Sequence, residues 1–282
     1  MKDEKSYVIG THDAEIERLG VQHRVWRPSV LEFWRLGGLT EGMTVIDAGC
    51  GPGHATLDLA EIVGPTGKVI ALERSRRFLD ALETLARARG LRNIEVVDAD
   101  LTTFDWSSLS ADLLWCRWVL AFVDEPLRIA REMTSAIRPG GALLVHEYYD
   151  YGSWHLAPRE PVFEDYVARI IARWRASGGE PDIALALPSL FAQAGLTIEA
   201  ARPVVFAAAM NDFASRWPMG FARDFLNTLR QSGDIDDNEA HPIARMLERA
   251  EADPNALVIS PGVLQIRARK PEQFPGSRVF NP

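Results

Sequence analysis

Val45-Ile46-Asp47-Ala48-Gly49-Cys50-Gly51-Pro52-Gly53 is the stretch on which the reading of this chain turns. Residues 43–47 have the composition of a buried strand, and the glycines at 49, 51 and 53 then break it. Residues 54–63 resume as a helix, with Leu57, Leu59, Ala60 and Ile62 on the apolar side. A glycine-rich turn between strand and helix lets a ligand come close to the backbone. A nicotinamide-dinucleotide turn wants G-x-G-x-x-G. Gly49 and Gly51 fit that pattern, but His54 stands in the third place and Gly53 comes one residue early. Asp47 ends the strand, where a carboxylate is costly unless it meets a cation or amide donors. A pyrophosphate would be repelled there, and an ammonium or sulfonium attracted.

Outward from the turn, short apolar runs alternate with amphipathic helices. Residues 68–73, 94–97, 113–116 and 142–146 read as further strands. A helix capped by Ser75 carries Phe78, Leu82 and Leu85, and another over 125–137 is stopped by Pro139-Gly140-Gly141. Alternation of this kind implies an α/β fold, with a parallel sheet, helices on both faces and ligands at one edge. Two helices, 13–26 and 29–36, precede the sheet, the second opened by Pro28. Helices over 161–176, 183–194, 213–230 and 240–252, a sixth strand at 196–199 and a final strand at 256–268 interrupted at Pro261-Gly262 follow it. This divides the chain into a lid segment 1–37, a core 38–150, helical insertions with the sixth strand 151–255, and a last strand with tail 256–282.

The 282 residues suit one large domain or two small ones. Lys and Arg number 31 against 39 Asp and Glu, a net charge of −8 that counts against a nucleic-acid partner. Cys50 and Cys116 build neither a disulfide framework nor a paired-cysteine zinc site, and no metal site is expected. The charged start Met1 to Lys5 is not followed by an apolar run, and no stretch nears the ~18 apolar residues of a membrane span, so a cytoplasmic protein is expected. Asp234, Asp236 and Asp237 lack calcium-loop spacing.

Further acids end the neighbouring strands. Glu73 lies 24 residues beyond Gly49, where a carboxylate can accept from both hydroxyls of a ribose. The third strand runs into Asp98-Ala99-Asp100-Leu101, an acid followed by a side chain able to cover a ring. For any one of these acids a helix cap or a solvated loop end accounts equally well. Three on consecutive strands beside a glycine turn weaken that account.

These residues, with 93–100, 111–120 and Ile137-Arg138-Pro139-Gly140-Gly141, resemble the class I S-adenosylmethionine-dependent methyltransferases. The likeness is to the small-molecule branch of the ubiquinone/menaquinone-biosynthesis type and covers roughly residues 38–150 well. It implies a Rossmann-like, doubly wound, seven-stranded sheet, mostly parallel with a reversed last strand. It implies that Asp47, Gly49, Cys50 and Gly51 line the cofactor's methionine part, that Glu73 holds the ribose, and that Asp100 with Leu101 holds the adenine, Asp98 being the alternative. Cys116 would contribute its backbone carbonyl near the methyl-transfer channel. Tyr7 and Gln22, in an N-terminal segment similar to a cofactor lid, would touch the cofactor as well.

For catalysis, His146 is the best-placed base at a strand end and His155 the second, although a buried, satisfied core histidine accounts for His146 at least as well. Aromatic residues crowd the inserted region, and Trp118, Tyr149 and Trp217 are the candidates for an apolar or aromatic acceptor. The expected activity is methyl transfer to oxygen, nitrogen or carbon of a small molecule, with S-adenosylhomocysteine as coproduct. The rivals are a nicotinamide-dependent oxidoreductase, a methyltransferase acting on RNA or protein, and a catalytically silent cofactor- or partner-binding protein. The acceptor and the oligomeric state are not encoded in any motif.

Overall fold

The computed structural model describes residues 13–272. The chain opens with α1 (Asp13–Leu36) and then alternates β1 (Thr44–Ala48), α2 (His54–Val63), β2 (Lys68–Glu73), α3 (Arg76–Ala88), β3 (Ile94–Asp98), β4 (Ala111–Arg117), α4 (Pro126–Ser135) and β5 (Ile137–Asp150). β6 (His155–Ala157), α5 (Pro161–Ala176), α6 (Leu187–Gln193), β7 (Thr197–Val204), β8 (Ala207–Ala209), α7 (Arg216–Ser232), α8 (Asp237–Ala252), β9 (Leu257–Ile259) and β10 (Gly262–Arg269) follow.

Seven strands make the main sheet in the order β3-β2-β1-β4-β5-β10-β7. The first five are parallel; β10 runs antiparallel to both β5 and β7. This is the doubly wound, mostly parallel sheet with a reversed last strand. From β1 the chain steps one way to β2 and β3, then crosses back to β4. The crevice beyond β1 and β4 is therefore the topological switch point where such sheets bind ligands.

Alternate residues of each strand feed two cores. Val45, Val69, Leu113, Trp115, Leu144 and Tyr148 face α1, α2, α5, α7 and α8. Ile46, Ile70, Leu114, Cys116, Leu143 and Val145 face α4, α6 and the turn at Ile183–Leu185. Strands buried on both faces account for their nearly unbroken apolar sequences.

Three expectations are corrected. The two N-terminal helices are one, because buried Trp26, Val30, Phe33 and Trp34 pack on both sides of Pro28 while Pro28 itself faces solvent. The fifth strand begins at Ile137, since Ile137 pairs with Ala111 and Gly140 and Gly141 exchange backbone hydrogen bonds with Lys270. The interruption at Pro261-Gly262 separates two strands of different sheets, β9 joining β6 and β8 in a small antiparallel sheet. No helix among the described residues is long and apolar enough to cross a membrane.

Candidate active site

The turn after β1 is pinned from β2. The amides of Gly49 and Cys50 both donate to the Leu72 carbonyl at 2.9 and 3.0 Å, and the Gly51 amide donates to Glu73 Oε2 at 3.1 Å. The glycines at 49, 51 and 53 all have positive φ, but their surroundings differ. A β-carbon at Gly53 would lie 2.3 Å from Leu82, and one at Gly49 would lie 2.5 Å from Val119. A β-carbon at Gly51 would meet no described residue within 4 Å. The turn is thus packed shut on either side and open at its centre, which is where a ligand can lie on the backbone.

Glu73 is buried at the end of β2, with Oε1 accepting from the Ser75 amide at 2.8 Å. Each of its oxygens thus takes a backbone donor, which fixes the carboxylate beside the glycine turn. Asp47 is buried too, accepting from Thr56 Oγ1 at 2.7 Å. Burial raises its pKa to about 6, against the help of Thr56 and of the Arg117 charge. A carboxylate so held back from ionising is one that a ligand cation would stabilise. Asp98 is the exposed register partner of Glu73, whereas the half-buried Asp100 takes the Thr102 amide at 2.9 Å and hydroxyl at 2.6 Å on one oxygen. Leu101 is half-buried next to it. The open Gly51 face with acids at the tips of β1 and β2 and just beyond β3 fits an adenosyl ligand with a cationic end.

Cys50 points away into a small cluster with Leu57, Leu79 and Leu82, and Cys116 lies in the opposite core among Leu114, Leu120 and Val145. Burial pushes both thiols up, so neither is a nucleophile at neutral pH. Tyr7 lies outside the described residues. Gln22 on α1 accepts from Trp217 Nε1 at 2.9 Å and from Arg18 at 3.2 Å, joining α1 to α7.

Beyond the turn, β4 ends in Arg117, whose register partner is His146, four residues before the end of β5. Trp118 follows with a positive φ of 52°, the one non-glycine residue so placed among the described residues. That strained backbone turns its ring onto Tyr148 (5.3 Å between centroids) and Trp217 (5.8 Å), both stacked. Trp26 of α1 meets Trp118, His146 and Trp217 edge-on. Of the three acceptor candidates, Trp118 and Trp217 come together and Tyr149 does not. Tyr149 packs with the opposite core, and its neighbour Tyr148 takes the place beside Trp118.

His146 is wholly buried, and burial holds its pKa well below the ordinary range. Its Nδ1 meets Gln265 Nε2 at 3.2 Å. Arg202 donates to the other end of that amide, Oε1, at 3.2 and 2.8 Å, which fixes Nε2 as the donating end. Nδ1 is therefore an acceptor and the proton sits on Nε2. A histidine in this state donates and does not serve as a base. His155 lies on β6 of the second sheet, beside Arg159 and Glu164.

Residues not picked out from the sequence complete the site. His23 of α1 donates through Nε2 to Asp58 at 3.0 Å, and its Nδ1 takes Arg117 Nη2 at 3.4 Å. Glu147, buried on the other face of β5, accepts from the Val119 and Leu120 amides at 2.7 and 2.9 Å and so sets the loop that carries Trp118. Burial raises its pKa to about 8. Arg117 and Glu147 had one usable signal, a charge embedded in a strand's apolar run; His23 and Asp58 had none, being 35 residues apart.

Residues 39–172 match the family model described as a methyltransferase domain. Those residues are similar to a methyltransferase domain. A demethylmenaquinone methyltransferase of Lactococcus lactis is 31% identical over 126 residues, which are 45% of this chain and 49% of that protein. A ubiquinone/menaquinone biosynthesis C-methyltransferase of Escherichia fergusonii is 29% identical over 149 residues, 49% of this chain and 58% of that protein. The chain thus spans only about half the length of the curated relatives it matches. Coclaurine N-methyltransferase, solved with N-methylheliamine and S-adenosylhomocysteine, shares the fold at a TM-score of 0.53 and 15% identity, over 86% of this chain and 72% of that one. The matched residues include the glycine turn, Glu73, Asp100, Arg117 and His146, while α1, α7 and β10 lie outside them.

Proposed function

We propose that this protein transfers a methyl group from S-adenosylmethionine to a small, ring-bearing organic acceptor and releases S-adenosylhomocysteine. The observation that carries the reading is the open backbone face at Gly51 with buried Asp47 and Glu73 on the two strand tips beside it. Glu73 would hold the ribose, Asp47 the cationic end, and Asp100 with Leu101 the adenine. When bound, the cofactor supplies a methyl group activated by a positively charged sulfur.

The chain's own work is alignment and exclusion of water. Trp26, Trp118, Tyr148 and Trp217 give the tips of β4 and β5 a dry aromatic wall. His146, already protonated on the nitrogen that faces this wall, orients and does not take a proton. Similarity to demethylmenaquinone methyltransferases supports a planar acceptor.

Calorimetry with S-adenosylmethionine and S-adenosylhomocysteine, NADH as control, tests this. Binding of both sulfur ligands but not NADH, weakened roughly tenfold or more in Asp47→Ala and Glu73→Ala, is expected. Binding indifferent to both substitutions would sink the assignment.

A further inference from the structure

We propose that Arg117 and His146 form an anion-binding pair that selects a planar aromatic acceptor bearing a carboxylate. The inference rests on the methyltransferase reading and narrows its substrate. Arg117, the last residue of β4, and His146 of β5 are register partners on adjacent parallel strands, so their side chains leave the same face, the one that carries Trp115 and Tyr148. Each ends in a buried donor without a partner, Arg117 Nη1 and His146 Nε2. Arg117 has a single hydrogen-bond partner among the described residues, the neutral His23 Nδ1, and no carboxylate within ion-pair distance. Its guanidinium also lies over the Trp118 ring, 5.1 Å from the centroid.

Burying a donor without an acceptor is costly, and more so for a charged group. The surrounding bonds hold both donors in that state. Asp58 takes the His23 proton, so His23 offers Nδ1 to only one arm of Arg117. Arg202 fixes the Gln265 amide, so His146 must point N–H rather than a lone pair out of its Nε2. The network thus presents hydrogen and positive charge at the end of β4 and at its register partner on β5. Beside them Trp118 stacks with Tyr148 and Trp217, so the edges of these rings make an apolar aromatic border. Aromatic edges favour a ring, and two donors with a net charge favour an anion. A carboxylate is ionised at neutral pH without assistance, whereas a phenol is not.

The cofactor's own carboxylate has the same chemistry, and Arg117 lies close enough to Asp47 for each to feel the other's charge. The experiment separates the two. Protein saturated with S-adenosylhomocysteine is titrated calorimetrically with benzoate and 1-naphthoate and with their methyl esters, in wild type, Arg117→Met and Arg117→Lys. We expect the acids to bind at least about tenfold tighter than the esters, Arg117→Met to lose roughly 30-fold for the acids, and Arg117→Lys to recover part of that. The affinity for S-adenosylhomocysteine, measured at about pH 8 so that Asp47 stays ionised without the help of the Arg117 charge, should stay within about twofold. Acids and esters binding alike, or neither binding to the loaded protein, overturns the inference alone. Arg117→Met weakening S-adenosylhomocysteine instead assigns the anion to the cofactor and also overturns it. Failure of folded wild type to bind S-adenosylhomocysteine overturns the methyltransferase reading and this inference with it. If Arg117→Met does not fold, the acid–ester comparison in wild type and Arg117→Lys decides.

Discussion

Asp47 and Glu147 are both carboxylic acids that burial keeps protonated above the usual range, and their consequences differ because only one faces the ligand. Asp47, shifted from 3.8 to about 6, must ionise to attract a cation. Affinity for S-adenosylhomocysteine should therefore fall as the pH drops from 7 to 5, and Asp47→Asn should bind weakly with a flat profile; calorimetry at several pH values reads both. Glu147, shifted from 4.5 to about 8, acts on the fold. Its folded pKa is the higher one, so its contribution to stability is fully present below 4.5 and is lost as the pH rises through 8. Urea unfolding should show wild type losing stability between pH 5 and 8 more steeply than Glu147→Gln, which still accepts the Val119 and Leu120 amides. Glu147→Ala leaves those amides unpaired and should cost roughly 2–3 kcal/mol at pH 6.

The glycine turn shows how one element divides its positions between packing and binding. Gly53→Ala drives a methyl group into Leu82 at a left-handed backbone and should destabilise by roughly 2–4 kcal/mol. Gly51→Ala bears the backbone strain alone, about 1–2 kcal/mol, but fills the open face. Thermal unfolding should therefore rank Gly53→Ala as the worse folder, and ligand titration should rank Gly51→Ala as the worse binder. The turn was legible because its signal is local: strand, glycines, acid and helix follow one another within twenty residues. Helix α1 was not. A proline at position 28 is a local stop signal, and only the distant surfaces that cover Trp26 and Trp34 override it. The capping box of Asp236 and Glu239 on α8 likewise went unread within a cluster of acids, though Asp236→Ala should cost about 1 kcal/mol.

At the scale of the molecule, the strand tips with their acids could be read from sequence, whereas the way the named Trp118 and Trp217 meet could not. The acids assigned to the cofactor each follow a strand with a recognisable run, so their order along the chain is their order across the sheet. Trp118 and Trp217 stack although they lie 99 positions apart, and Trp26 reaches both from a third element. No spacing encodes such a meeting, and an aromatic residue that fills a core looks the same in sequence as one that faces a ligand. Ligand binding should be visible globally as well. At 100 times its Kd, S-adenosylhomocysteine adds about 2.7 kcal/mol and should raise the unfolding midpoint of a chain this size by several degrees, an increment that Glu73→Ala should cut to about half or less at the same ligand concentration.

Because β10 enters the sheet between β5 and β7, order of synthesis matters. As the nascent chain leaves the ribosome, β7 emerges with no strand to pair with, and one edge of β5 stays bare. Its partner arrives only after roughly 60 more residues, several seconds of translation at about 5–20 residues per second. Throughout that interval the growing polypeptide displays two open strand edges, the surface that chaperones shield and that neighbouring chains can capture.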